Sequence, residues 1–279
     1  MMPILYDLRI FGYDLSLPTY GLLLAIAFLA ALAVAVRGAR REGIETTAIT
    51  DIWIISLLAG VIGAKLLLYL LDWRYYFDNP AAILASLRSA GVWYGGLLVA
   101  VAACLIVVKR RGLDGWVIGD IAAPAISLGQ AIGRLGCFAA GCCYGKACEL
   151  PWAVTFSNPR AHEITGVPLS VPLHPTQLYH ALADFTLFLI LLRLVPRRRF
   201  NGQALLAYLI LYAILRGVIE AFRGDPRGAL GALSTSQILG AAILLVAGWL
   251  YVKRSRTPSA ARVASAARTA AAARPAPRG

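Results

Sequence analysis

Seven stretches of this chain are apolar over the length that a lipid bilayer demands. A spanning helix needs about 20 mostly apolar residues. By that measure the sequence predicts spans at Leu17 to Val36, Ile49 to Leu71, Gly91 to Val108, Trp116 to Leu135, Pro175 to Leu194, Gln203 to Ile219 and Ser236 to Val252. Only 15% of the 279 residues are charged, against about 25% in ordinary soluble domains. The expected fold is therefore an all-α, polytopic membrane protein. The first apolar run follows Asp7 and Asp14 rather than a basic segment, so it is expected to be a retained span and not a cleaved leader.

The formal net charge of +13 would suit nucleic acid only on a polar domain, and the sequence offers none. Topology explains the charge better, because cytoplasmic loops collect Lys and Arg. Arg37, Arg40 and Arg41, then Lys109, Arg110 and Arg111, then Arg193 and Arg197 to Arg199 fall in alternate loops, on the side of the C-terminal tail. With the tail they account for 17 of the 27 basic residues. The predicted orientation has the N-terminus outside and the C-terminus in the cytoplasm. Residues 1–252 then form the transmembrane domain, where any catalytic site is expected. Residues 253–279, rich in Ala, Arg, Ser and Pro, are expected to be a disordered basic tail attracted to anionic lipid.

Polar groups at helix ends in such a chain are candidate sites by default. Arg134 is expected to end the fourth span, followed by a glycine and cysteine loop, and its guanidinium can fork onto a phosphate. Snorkelling to the interface is the bland alternative. Arg216, Glu220 and Arg223, spaced by four and three residues, fall on one helical face; a simple ion pair between helices competes with a direct role for Glu220. His174-Pro175-Thr176-Gln177-Leu178-Tyr179 opens the fifth span, where His174 is expected chiefly as a helix cap. His180 and His162 carry no partner signal. Tyr20-Gly21 and Tyr94-Gly95-Gly96 suit an aromatic belt, with glycines that permit close backbone approach.

Four of the five cysteines, Cys137, Cys142, Cys143 and Cys148, fall in one short window. Cys104 lies in an apolar run as a small hydrophobe. The four lack the paired C-x-x-C spacing of common zinc sites, so no metal and no cofactor is assigned. A disulfide from Cys137 to a neighbour and a reactive thiol both remain open.

The ordered set Gly133-Arg134-Leu135-Gly136 with Phe138 and Gly145, His174 to Tyr179, and Arg216 with Glu220, Phe222 and Arg223 resembles the prolipoprotein diacylglyceryl transferase family. Tyr20-Gly21, Gly95-Gly96-Leu97, Asp120, Pro124, Leu233-Ser234 and Gln237 add to it. The resemblance implies a bacterial inner-membrane enzyme with an outward-facing active site. Its partners would be membrane lipids and the lipobox of prolipoprotein signal peptides, with no nucleic acid. It would move the diacylglyceryl group of phosphatidylglycerol to the lipobox cysteine thiol and release glycerol phosphate. It implies catalytic roles for Arg134, Arg216, Glu220 and Tyr94, and substrate binding by Tyr20, Gly145, His174, Gln177 and Arg223.

The chain departs from the family pattern at three of these positions. Cys137 replaces an asparagine, Cys142 a glutamate, and Tyr94 the histidine before Gly-Gly-Leu. A membrane thiol transferase or oxidoreductase built on the cysteines, and a non-catalytic lipid-binding protein, are the rival readings.

Overall fold

The computed structural model describes residues 4–10, 13–86, 91–225, 229–230 and 233–256. The expected disordered tail lies outside them from residue 257 onward, as do Arg88 and Pro226. A hairpin of β1 (Ile4–Ile10) and β2 (Tyr13–Pro18) leads into α1 (Thr19–Arg41), α2 (Thr46–Leu71) and the short α3 (Trp73–Asp78) and α4 (Ala81–Ser86). Then come α5 (Trp93–Arg110), α6 (Gly115–Ala140), β3 (Val154–Thr155), α7 (Pro159–Thr165), β4 (Pro172–Leu173) and α8 (Thr176–Leu194). The chain continues through α9 (Gln203–Glu220), β5 (Ala229–Leu230), β6 (Leu233–Ser234) and α10 (Thr235–Ser255).

Seven of these helices, α1, α2, α5, α6, α8, α9 and α10, are long and apolar enough to cross a membrane. Their outer faces carry the apolar residues that a soluble protein would bury: Leu58, Val61, Ile62, Leu66 and Leu70 of α2 are all exposed. The seven expected spans are present, with ends shifted by a few residues.

The chain forms two compact units, residues 34–118 and residues 1–33 with 119–279. In the first, α2 and α5 pack through glycine. A Cβ on Gly63 would stand 2.5 Å from the Gly95 carbonyl oxygen, and one on Gly95 would stand 2.4 Å from Leu67 Cβ. This small-residue contact substitutes for the hydrophobic drive that lipid removes. The close approach anticipated at Gly95 and Gly96 is thus that of a neighbouring helix.

In the second unit, Ala123, Leu187, Leu191, Ala204 and Tyr208 form a core joining α6, α8 and α9. Asp120 anchors it. The carboxylate accepts from the backbone N–H groups of Gly202 and Ala204 at 2.8 Å and Leu205 at 3.0 Å, and pairs with Arg198 Nε at 3.2 Å. Three otherwise orphaned donors at the start of α9 are satisfied from another helix.

The fourth span differs from expectation at its end. It continues past Leu135 and Gly136 to Ala140, so Cys137 is helical rather than in a loop, and Arg134 lies inside the helix rather than at its end. Gly141 stops it by adopting φ +83°. The Gly141 N–H reaches the Phe138 carbonyl at 3.3 Å and the Cys142 N–H reaches that of Cys137 at 3.2 Å, the paired bonds of a Schellman motif.

Beyond it, the segment up to Pro175 is ordered by its own small core of Tyr144, Phe156, Ala161, Val167 and Leu173. Within that segment His162, which carries no partner signal in the sequence, sits in α7 and bonds the Val167 carbonyl through Nδ1 at 2.8 Å.

Candidate active site

One end of α6, α8 and α9 holds a concentration of charge that lipid would not tolerate. On α9, Arg216 and Glu220 are one helical turn apart, and their ion pair closes to 3.0 Å with side chains 11% and 6% exposed. Arg223 lies three residues beyond the helix, bridged to Gly145, and approaches the same Glu220 oxygen at 3.8 Å. Its guanidinium forks onto Asp225, with Nε and Nη2 each donating at 2.9 Å. The other Glu220 oxygen accepts from Ser236 Oγ at 2.6 Å, in the first turn of α10, where the helix dipole favours negative charge. Ser234 and Gln237 complete a capping box at that helix start.

The polar face of α8 supplies the next layer. Thr176, Gln177, His180 and Asp184 are all at most 2% exposed. Arg216 Nη1 lies 3.0 Å from His180 Nε2. A guanidinium has no acceptor, so the imidazole accepts there and carries its proton on Nδ1. Among the described residues Asp184 Oδ2 has no hydrogen-bond partner although it is buried, and it lies within electrostatic reach of Arg134 and Arg216. Ser127 Oγ ties α6 to α8 through the Asp184 carbonyl at 2.7 Å. Among the described residues Arg134 makes no direct hydrogen bond or ion pair, although Asp184, Tyr212, Cys137 and Cys143 lie within its electrostatic reach.

The thiols of Cys137, Cys142 and Cys143 meet beside these arginines, their sulfurs all within 4.8 Å of one another. The turn at Gly141 folds the last two back over the first. Cys143 occupies the left-handed region at φ +61°, which is uncommon for a residue other than glycine. Thr176 Oγ1 holds the Cys143 carbonyl at 2.7 Å, and Gln177 Nε2 the Cys142 carbonyl at 2.8 Å. Hydrogen bonds from the Cys137 and Cys142 thiols, with the Arg223 guanidinium, pull the Cys143 thiol below the ordinary range. Cys142, hydrogen-bonded to both other thiols and partly buried, is pushed up. Cys148 stands outside the group, and none of the cysteines is bridged.

Of the remaining sequence-predicted residues, Tyr20, His174 and Gly145 belong to the same compact unit as this cluster. Tyr20, at the start of α1, packs against Gly136 and is within electrostatic reach of Arg134 and the three thiols. His174 does not cap α8: Pro175 holds that place without a side-chain bond. Instead its Nδ1 lies 3.2 Å from the Tyr179 hydroxyl, which also accepts from Trp152 Nε1 at 2.8 Å. The proline's fixed backbone starts the helix without needing a capping side chain.

Gly145 sits where three segments cross. A Cβ there would come within 2.5 Å of His174 and 2.8 Å of the Phe222 carbonyl oxygen. Tyr94, at the start of α5 in the other compact unit, packs its ring on Trp93 with centroids 5.3 Å apart.

The sequence model of the family described as prolipoprotein diacylglyceryl transferase matches residues 8–253. The chain belongs to this family. It is 33% identical over 246 residues to the phosphatidylglycerol–prolipoprotein diacylglyceryl transferase of Clostridium tetani, covering 88% of this chain and 95% of that protein. The protein of the same name from Finegoldia magna is 37% identical over 246 residues, 88% of this chain and 93% of its own. That of Geobacter sulfurreducens is 34% identical over 220 residues, 77% and 80% of the two chains. Membership favours a transferase in the membrane over the oxidoreductase and lipid-scaffold readings.

For this diacylglyceryl transferase family member, sequence reasoning brought Arg134, Arg216, Glu220 and Arg223 forward and missed His180, Asp184 and Ser236. The signal for two of them was present. Thr176, His180 and Asp184 recur every four residues within an otherwise apolar span, which marks a face turned away from lipid.

Proposed function

We propose that this enzyme transfers the diacylglyceryl group of phosphatidylglycerol to the thiol of a lipobox cysteine in a prolipoprotein, releasing glycerol phosphate. The observation that carries the reading is the Arg134 guanidinium, close to the acidic and thiol groups of a polar cluster yet engaged with none of them directly. A planar fork of N–H donors held in that state suits a phosphodiester.

In the reaction the acceptor sulfur, having lost its proton, attacks the glycerol carbon that bears the phosphate ester. A carbon–sulfur bond forms, the carbon–oxygen bond breaks, and the electron pair departs on the phosphate oxygen. Arg134 and Arg216 stabilise the charge that grows on that leaving group, in a setting where water screens it poorly. Glu220 and Arg223 fix the direction of Arg216. His180 accepts from Arg216 and keeps its second amino group from turning away. Tyr20, His174 and Gln177 line the headgroup or peptide side.

The reading places the enzyme in the bacterial inner membrane as a multi-pass protein. The N-terminus lies outside, the active site faces outward, and the basic loop ends lie in the cytoplasm. The test is release of glycerol phosphate from phosphatidylglycerol by purified protein only when a lipobox peptide bearing cysteine is supplied. Release without peptide, or with the cysteine replaced by serine, contradicts it.

A further inference from the structure

We propose that Cys137, Cys142 and Cys143 form a three-thiolate site for one Zn²⁺ ion whose fourth coordination position takes the acceptor thiol of the prolipoprotein. The binding site itself stands on this chain's geometry; the identity of the fourth ligand rests on the transferase reading above.

The three sulfurs lie within 4.8 Å of one another. Zinc–sulfur bonds of about 2.3 Å in a tetrahedron set sulfur–sulfur edges of about 3.8 Å. Each thiol hangs on a single rotatable bond, so an inward movement of about 1 Å closes the site. The backbone already holds the ligands in place. The Schellman turn fixes Cys142 against Cys137, with its N–H on the Cys137 carbonyl. Cys143 is held in the left-handed region by Thr176, and Gln177 clamps the carbonyl between them. Such outer hydrogen bonds orient ligands in metal sites. Cys-x-x-Cys spacing is one way to bring sulfurs together, and a helix-terminating turn with a left-handed residue is another.

Three rules of zinc chemistry point to an open site. Structural zinc is closed by four protein ligands, while working zinc keeps three and leaves a place for water or substrate. Cys148 is not in the group. Soft thiolate donors suit zinc, which brings no redox reaction to a step that is a displacement at carbon. Three thiolates on Zn²⁺ leave a net negative site, and the guanidinium groups of Arg134 and Arg223 within reach of Cys143 balance it.

A thiol that coordinates such an ion loses its proton. The proton passes to water, and the bound sulfur attacks the glycerol carbon as the phosphate oxygen leaves. The thioether formed is a weaker ligand than a thiolate, so the product is free to depart.

The test uses the full chain, reduced and purified in detergent, with Zn²⁺ and Co²⁺ as the probes. About one zinc per chain is expected to survive dialysis. Cobalt in its place should give thiolate charge-transfer bands and tetrahedral d–d bands. The d–d bands should shift with a lipobox cysteine peptide and stay fixed with its serine analogue. Cys142→Ser and Cys143→Ser should each weaken zinc retention by more than the roughly 10- to 100-fold that loss of an outer hydrogen-bond partner costs, and Cys104→Ser should not.

Wild-type protein with no bound zinc and three freely titrating thiols would overturn the proposal, and needs no variant to fold. Transfer by such zinc-free protein leaves the transferase reading intact while removing the zinc. A peptide-dependent cobalt spectrum without any transfer does the reverse.

Discussion

Arg216 donates to the Nε2 of His180 across 3.0 Å, from one buried helical face to another. The contact joins α9 to α8 and fixes the tautomer of an imidazole that is 2% exposed. It also explains why a histidine inside a span sits next to three arginines: as a neutral acceptor it adds no further positive charge.

His180→Ala should therefore leave an Arg216 donor unpaired, at a cost of about 1–3 kcal/mol. Expressed in kcat/KM for peptide lipidation, the loss is about tenfold to a hundredfold. Gln at the same position offers an amide oxygen to Arg216 and should recover most of the loss, whereas Leu should not. On the proposal that Arg216 stabilises the departing phosphate, the change should fall on kcat more than on KM.

Asp120→Ala removes a buried carboxylate that holds three backbone N–H groups and Arg198. Breaking a buried pair from one side costs about 3–5 kcal/mol. The variant should lose thermal stability in detergent by that order. Its specific activity per folded molecule should be far less affected than that of a cluster variant, because Asp120 lies near the start of α6 and serves the α9 N-terminus. Asp120→Asn keeps an acceptor and should fall between.

Gly145→Ala places a Cβ 2.5 Å from His174 and 2.8 Å from the Phe222 carbonyl oxygen. Overpacking of this kind costs about 1–3 kcal/mol. Here the Lys146 N–H bond to the Phe222 carbonyl and the reciprocal bonds between residues 145–146 and His174 would be pushed apart. Limited proteolysis should cut the segment between α6 and α8 faster in the variant than in wild type. Equal rates would show that the crossing can relax.

How much of this was legible in the sequence depended on what lipid forbids. Arg134, Arg216, Glu220 and Arg223 stand out because charge inside an apolar run needs a reason; the structure joins Arg216 and Arg223 at Glu220 and sets Arg134 within electrostatic reach of Asp184. Asp184 and His180 obey the same rule, but each is a single polar residue in an apolar run and not part of a charged cluster, so the sequence signals them more weakly.

The end of α6 was misread at Gly136. A glycine in sequence does not reveal the sign of its φ, and only Gly141 turns left-handed there. From that one turn follows the meeting of three thiols, where spacing alone argues only against the common zinc pattern. The small core around Phe156 and the β1–β2 hairpin were unread as well, since short elements leave little periodic signal.

The central claim is that Arg134 meets the phosphate during transfer of a diacylglyceryl group to a thiol. The most direct measurement is mass spectrometry of a lipobox peptide incubated with phosphatidylglycerol and either wild-type protein or folded Arg134→Ala. Wild type should yield the peptide thioether of diacylglycerol, and the variant should yield it on the order of 100- to 1000-fold more slowly, the usual cost of one lost charge-stabilising donor. No thioether from folded wild type, or an undiminished rate in the variant, would contradict the account.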